Sequence, residues 1–83
     1  MPYFVYLIKS KLKNKKRLSY VGYTGDLKKR LNLHNSGKGA KFTRGKKWNL
    51  VYYEKYNTKS DAMKNEYKLK KNYKLRQKII KNK

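Results

Sequence analysis

Eighty-three residues make one small domain with one modest core, because a short chain buries proportionately little surface. Twenty-five lysines and arginines stand against four acids, a formal net charge of +21 that repels itself in a compact state and asks for a polyanionic partner, with a phosphate backbone the first choice. With no cysteine and one histidine, disulfides, thiolate metal sites and histidine-cluster metal sites are excluded, so any metal here must be hard and oxygen-bound.

In chain order, the opening MPYFVYLIKS carries its only lysine after its apolar stretch, the reverse of a signal peptide, and no apolar run reaches membrane-spanning length. A cytoplasmic protein is expected. A membrane partner is not, since the basic residues spread from Lys9 to Lys83 instead of along one amphipathic helix. Residues 3–9 (YFVYLIK) and 18–24 (LSYVGYT) are β-branched and aromatic and predict an antiparallel hairpin joined by a polar, lysine-rich loop. Asp26 is a good N-cap for a helix over 27–35 with Leu27 and Leu31 inward, and Gly37 marks its end. Residues 35–47 hold three glycines and five basic residues without apolar period and read as a loop. A third strand is expected at 49–56 and a helix at 59–71, started by the Thr58-x-x-Asp61 signature, with a short helix at 74–81. The predicted order is β-β-α-β-α-α, an α+β domain over 1–83 without repeats or an internal linker. Nine tyrosines make the chain too aromatic for a charged disordered tail.

Several residues stand out before any comparison. In a strand Tyr6 shares a face with Phe4 and Ile8, and Tyr20 shares one with Gly22, so pairing the strands can bring both phenols to one side of the sheet. Taken alone, that is ordinary sheet packing. Arg30 and His34 are four apart on the first helix; Arg30 can pair with Asp26 one turn earlier, and His34 can be a satisfied, partly buried side chain. Glu66 falls between Ala62, Leu69 and, if the helix extends so far, Tyr73. That places an acid in an apolar stripe, where it either pairs with Lys70 or serves a function. Ser36–Ala40 follows a helix and lacks G-x-x-x-x-G-K-[ST], which rejects nucleotide hydrolysis. Lys38, Lys41, Arg44, Lys46 and Lys47 in that loop are candidates for backbone contacts, or an ordinary solvated surface. Trp48 reads as a core anchor first and a base-stacking platform second.

The chain resembles the short stand-alone bacterial proteins of the GIY-YIG endonuclease superfamily. Phe4-Val5-Tyr6 stands at the first motif and Tyr20-Val21-Gly22 at the second; then TGDLKKRL at 24–31, HNSGKGAKFTR at 34–44 and Glu66 follow in the expected order. The departure is Phe4-Val5 in place of Gly-Ile. The resemblance implies a small three-stranded antiparallel sheet flanked by helices and a catalytic set of Tyr6, Tyr20, Arg30, His34 and Glu66. In that set the Tyr6 position takes a proton from the attacking water, the Tyr20 position contacts phosphate, Arg30 clamps phosphate and His34 assists. Glu66 holds one Mg2+ or Mn2+ ion. Asn72 is a further candidate, since some members use an Asn or Lys shortly after the glutamate. The implied activity is metal-dependent phosphodiester hydrolysis on DNA, preferred over RNA, directed by structure in repair or recombination, with a possible protein partner for targeting. The rival is a non-catalytic DNA- or RNA-binding module of the same fold.

Overall fold

The computed structural model describes residues 2–11 and 17–82. Its elements run β1 (Tyr3–Lys11), β2 (Arg17–Thr24), α1 (Leu27–Asn35), a short 3-10 turn (Lys41–Thr43), β3 (Asn49–Tyr56), α2 (Lys59–Lys71) and α3 (Tyr73–Lys81). The predicted order holds, with the one addition of the 3-10 turn inside the segment read as loop. The connection expected between the first two strands falls mainly on 12–16, outside the described residues.

The sheet order is β2-β1-β3, antiparallel throughout, which puts the most apolar strand in the middle. Alternation then sorts β1 between two layers. Val5 and Leu7, with Val21 and Val51, pack against Ala62 and Leu69 of α2 and Ile80 of α3. Tyr6 and Ile8 pack with Trp48 and with Leu27 and Leu31 of α1 on the other face. A register shift between Leu7 and Ile8 against β3 leaves this alternation intact.

Capping sets the helix limits. Asp26 accepts from the Lys29 N–H at 3.0 Å, and Gly37 takes the left-handed φ of +81° just past α1, a conformation that costs glycine least. Thr58 accepts from the Asp61 N–H at 3.1 Å to start α2. Asn72 then breaks the helical run: it closes α2, and its side chain accepts from the Leu75 N–H at 3.0 Å to start α3. Asn35 clamps the return to the sheet, accepting from the Trp48 N–H and donating to the Trp48 carbonyl.

Candidate active site

The hairpin register decides which side chains meet. Tyr6 stands opposite Gly22 and Ile8 opposite Tyr20, so both phenols share the face covered by α1. Gly22 is here a requirement for space. A Cβ at this position would lie within 2.6 Å of Tyr6 Cζ and nearer still to its hydroxyl. The Tyr6 ring therefore occupies the volume that any side chain at position 22 would need.

An open pocket of about 450 Å3 forms at this end of the hairpin, lined by Tyr6, Tyr20, Arg30, Lys59 and Glu66 and by the strand end from Tyr23 to Gly25. It draws on both layers: α1 supplies Arg30, and α2 supplies Glu66 from between its buried Ala62 and Leu69. Of the four acids, Glu66 alone lines this pocket. Asp26 is taken up as a helix cap and Glu54 accepts from the Tyr52 hydroxyl at 2.6 Å. The Arg30 Nε is shielded from solvent with no hydrogen-bond partner among the described residues. Such a donor costs about 1–3 kcal/mol.

Behind the pocket lies a hydrogen-bonded chain. The Tyr6 hydroxyl is 2.7 Å from His34 Nε2, and His34 Nδ1 is 2.8 Å from Thr43 Oγ1. The Thr43 hydroxyl donates to the Ala40 carbonyl at 2.8 Å and accepts from the Ala40 N–H at 3.2 Å. With the threonine proton so committed, His34 Nδ1 donates to Thr43, and Nε2 is left to accept from Tyr6. The proton acceptor thus points at the phenol. His34 is fully buried, and a Cβ on Gly39 would collide with its ring. Burial first, and the Arg30 charge second, lower the His34 pKa, so the ring is neutral at pH 7. Burial raises the Tyr6 pKa, with hydrogen bonding and charge from Arg30 pulling the other way and Tyr20 and Glu66 adding to the rise. The ordinary values of 10.0 and 6.5 already favour the neutral pair by about 5 kcal/mol, and burial moves both groups further apart. At rest the proton belongs to Tyr6.

The structure brings Tyr6, Tyr20, Arg30 and Glu66 to one pocket and places His34 behind it, reaching it through Tyr6; the Tyr20 ring lies 5.1 Å from His34, centroid to centroid. The five basic loop residues do not join them. Lys38 borders a hollow along α1 with Lys28 and Lys29, Lys46 and Lys47 border another beside Asn35, and Lys41 and Arg44 are exposed. The core reading of Trp48 holds: it is 1% exposed, and its Nε1 donates to the Thr43 carbonyl at 2.9 Å. Two expectations need correction. Tyr73 does not extend the Glu66 stripe, because α2 ends at Lys71 and Tyr73 is 63% exposed on α3. Asn72 is spent on capping and borders a different groove, between β3, α2 and α3, away from the pocket. Sequence reasoning missed Lys59, Thr43 and Gly39. The run Gly39-Ala40-Lys41-Phe42-Thr43 lies inside the HNSGKGAKFTR stretch that carries the resemblance, but its local pattern reads only as a loop and gives neither Thr43 nor Gly39 a role.

A hard cation fits the oxygens present. Among the described residues no three His, Cys, Asp or Glu side chains gather, so any ion would rest on the Glu66 carboxylate with phenol oxygens nearby. Mg2+-type ions bind in that way, with one or two carboxylates completed by water and phosphate.

The sequence profile of the GIY-YIG catalytic domain matches residues 2–79. The chain is similar to a UPF0213 protein of Bacillus pumilus (strain SAFR-032), 56% identical over 52 residues that make up 61% of this chain and 53% of that protein. It is likewise similar to a UPF0213 protein of Staphylococcus epidermidis (strain ATCC 12228 / FDA PCI 1200), 46% identical over 69 residues, 82% of this chain and 79% of that one. The aligned part is about half the length of the Bacillus relatives. The solution structure of the UPF0213 protein BH0048 from Bacillus halodurans superposes with a TM-score of 0.53 at 34% identity, covering 100% of this chain and 86% of that one.

Proposed function

Since the chain belongs to the GIY-YIG catalytic domain family, whose members are nucleases, we propose that it is a one-metal endonuclease that hydrolyses phosphodiester bonds in DNA. Its targets are set by nucleic-acid structure rather than sequence, with repair or recombination the natural setting and a partner protein a source of targeting. The observation that carries this reading is the convergence of Tyr6, Tyr20, the Arg30 guanidinium, the Lys59 ammonium and the pocket's one carboxylate on an open, water-accessible hollow.

In this reading Arg30 and Lys59 hold the non-bridging oxygens of the scissile phosphate, with the planar guanidinium suited to two oxygens at once. Tyr20 donates to the same phosphate. Glu66 would hold one Mg2+ or Mn2+ ion, which supplies charge neutralisation at the phosphate when bound. Tyr6 faces the attacking water. As the water oxygen bonds to phosphorus, Tyr6 takes the water's proton and passes its own to His34 Nε2, the acceptor that Thr43 holds in place. This relay avoids a resting phenolate, which burial makes costly. The P–O bond to the leaving strand breaks, and solvent supplies that oxygen's proton.

Purified protein with Mg2+ or Mn2+ is expected to nick branched, flapped or single-stranded DNA, and Glu66→Ala to abolish nicking while leaving DNA affinity within about twofold, since a half-buried acid contributes little to polyanion binding. Failure of the wild type to nick across these substrates and both metals, with binding intact, would replace the nuclease by a DNA- or RNA-binding module of the same fold.

A further inference from the structure

The 3-10 turn that delivers Thr43 inward to His34 also holds Phe42 outward. Phe42 is 48% exposed, a lone observation that by itself means little on a protein surface. Its surroundings give it meaning. Its ring lies near-parallel to Tyr20, at 20° with centroids 6.2 Å apart, and Tyr20 lines the pocket. Buried Trp48 backs it at 6.1 Å. Its sequence neighbour Thr43 is fully buried and tied into three hydrogen bonds, so the backbone carrying the ring is pinned. Cations surround it: Lys41 and Arg44 are exposed on the same turn, and Lys46 Nζ lies 5.4 Å from the ring centre while bonding the Phe42 carbonyl at 3.0 Å.

A half-exposed aromatic ring on a pinned turn, beside the open pocket and with cationic side chains on the same segment, is the combination that binds single strands, where bases stack on rings and phosphates track the charges. We propose that Phe42 is a stacking platform for an unpaired base next to the scissile phosphate, and that it selects single-stranded or flapped nucleic acid over blunt duplex. Lys46 occupies the ring at rest. An arriving base displaces its flexible ammonium, which moves to the adjoining phosphate. Within a duplex the interior bases are stacked on both faces and have none to offer. This inference rests on the nucleic-acid reading of the pocket and names its substrate class.

The test is binding in EDTA, where no cleavage occurs, so that it is separable from the nuclease reading. Fluorescence anisotropy would compare a short single-stranded oligodeoxynucleotide, its abasic counterpart of equal length and a blunt duplex, with an oligoribonucleotide to tell DNA from RNA. The wild type is expected to prefer the base-bearing strand over the abasic one by about 5- to 100-fold. Phe42→Ala should remove that preference without changing affinity for the abasic strand, and Phe42→Trp should keep it; circular dichroism of both variants should match the wild type, because the ring is surface-exposed. Equal wild-type affinity for base-bearing and abasic strands, or a preference that survives in Phe42→Ala, overturns the platform and leaves the nuclease reading standing. No binding to any strand overturns both.

Discussion

The two faces of the sheet are built on different physics. Against α2 and α3, Val5, Leu7, Val21 and Val51 meet Ala62, Leu69 and Ile80, and the layer is held by apolar area removed from water. Against α1, Ile8 is buried together with Tyr6, His34, Thr43 and Trp48, and each of these last four has a polar atom that must find a partner, and does. An aliphatic layer is forgiving of small shape changes and loses stability smoothly with volume. A polar chain transmits every change to its next member, because an orphaned buried group costs more than the net worth of the bond it lost. One side is suited to holding the fold, the other to setting proton positions, and β1 belongs to both through alternate residues.

Paired variants on neighbouring β1 positions test whether this division is real. Tyr6→Phe keeps the ring and removes the hydroxyl; nicking is expected to fall by about 10²–10⁴-fold, the usual worth of a general base. Its stability loss should stay near 1–3 kcal/mol, the cost of leaving His34 Nε2 without a donor. Leu7→Ala should do the reverse. Leu7 is fully buried, so its truncation should cost about 2–5 kcal/mol, a large share of what a domain of this size has. Activity per folded molecule, measured with saturating substrate and corrected by the unfolded fraction from chemical denaturation, should remain close to wild type. If the two variants lose stability and activity in parallel, the faces are one unit and the contrast is void.

How far the sequence could be read follows the same division. The aliphatic side was legible, because period-2 and helical patterns and the cap at Thr58 depend on neighbours in sequence. Glu66 was legible as an anomaly for the same reason, a charge breaking an apolar stripe. The break at Asn72 was not, since the residue is an equally good interior polar position, functional side chain or cap until Leu75 is seen to donate to it. The polar side was legible only through resemblance. Nothing local says that Thr43 accepts from an imidazole nine residues away, that Gly22 and Gly39 exist to make room for Tyr6 and His34, or that Lys59 arrives at the pocket from the start of α2. Those facts are made by strand register and helix placement, which are long-range.

The gentlest change proposed, Thr43→Val, separates a positioning role from mere packing. The variant keeps the shape and removes the oxygen, leaving His34 Nδ1–H without an acceptor. The ring can relieve this by moving its proton to Nε2, where it would donate to Tyr6 and could no longer take the phenol's proton. Nicking should fall by about 10- to 100-fold, matching roughly 1–3 kcal/mol, and Thr43→Ser should restore it. Nitrogen-15 chemical shifts of His34 would report the tautomer directly, which packing alone would leave unchanged. The pH dependence gives the second reading. In the fold His34 lies below its ordinary 6.5, so the unfolded chain takes up the proton first. The stability contribution is therefore complete above about pH 6.5 and is lost as the pH falls through the folded value. Wild-type activity should share that acid limb, with no alkaline limb from Tyr6 below about pH 10, since its pKa is raised. An Nδ1-protonated ring and unchanged activity in Thr43→Val would show that the threonine only fills space, and the contrast between the two faces would then narrow to Tyr6 and His34.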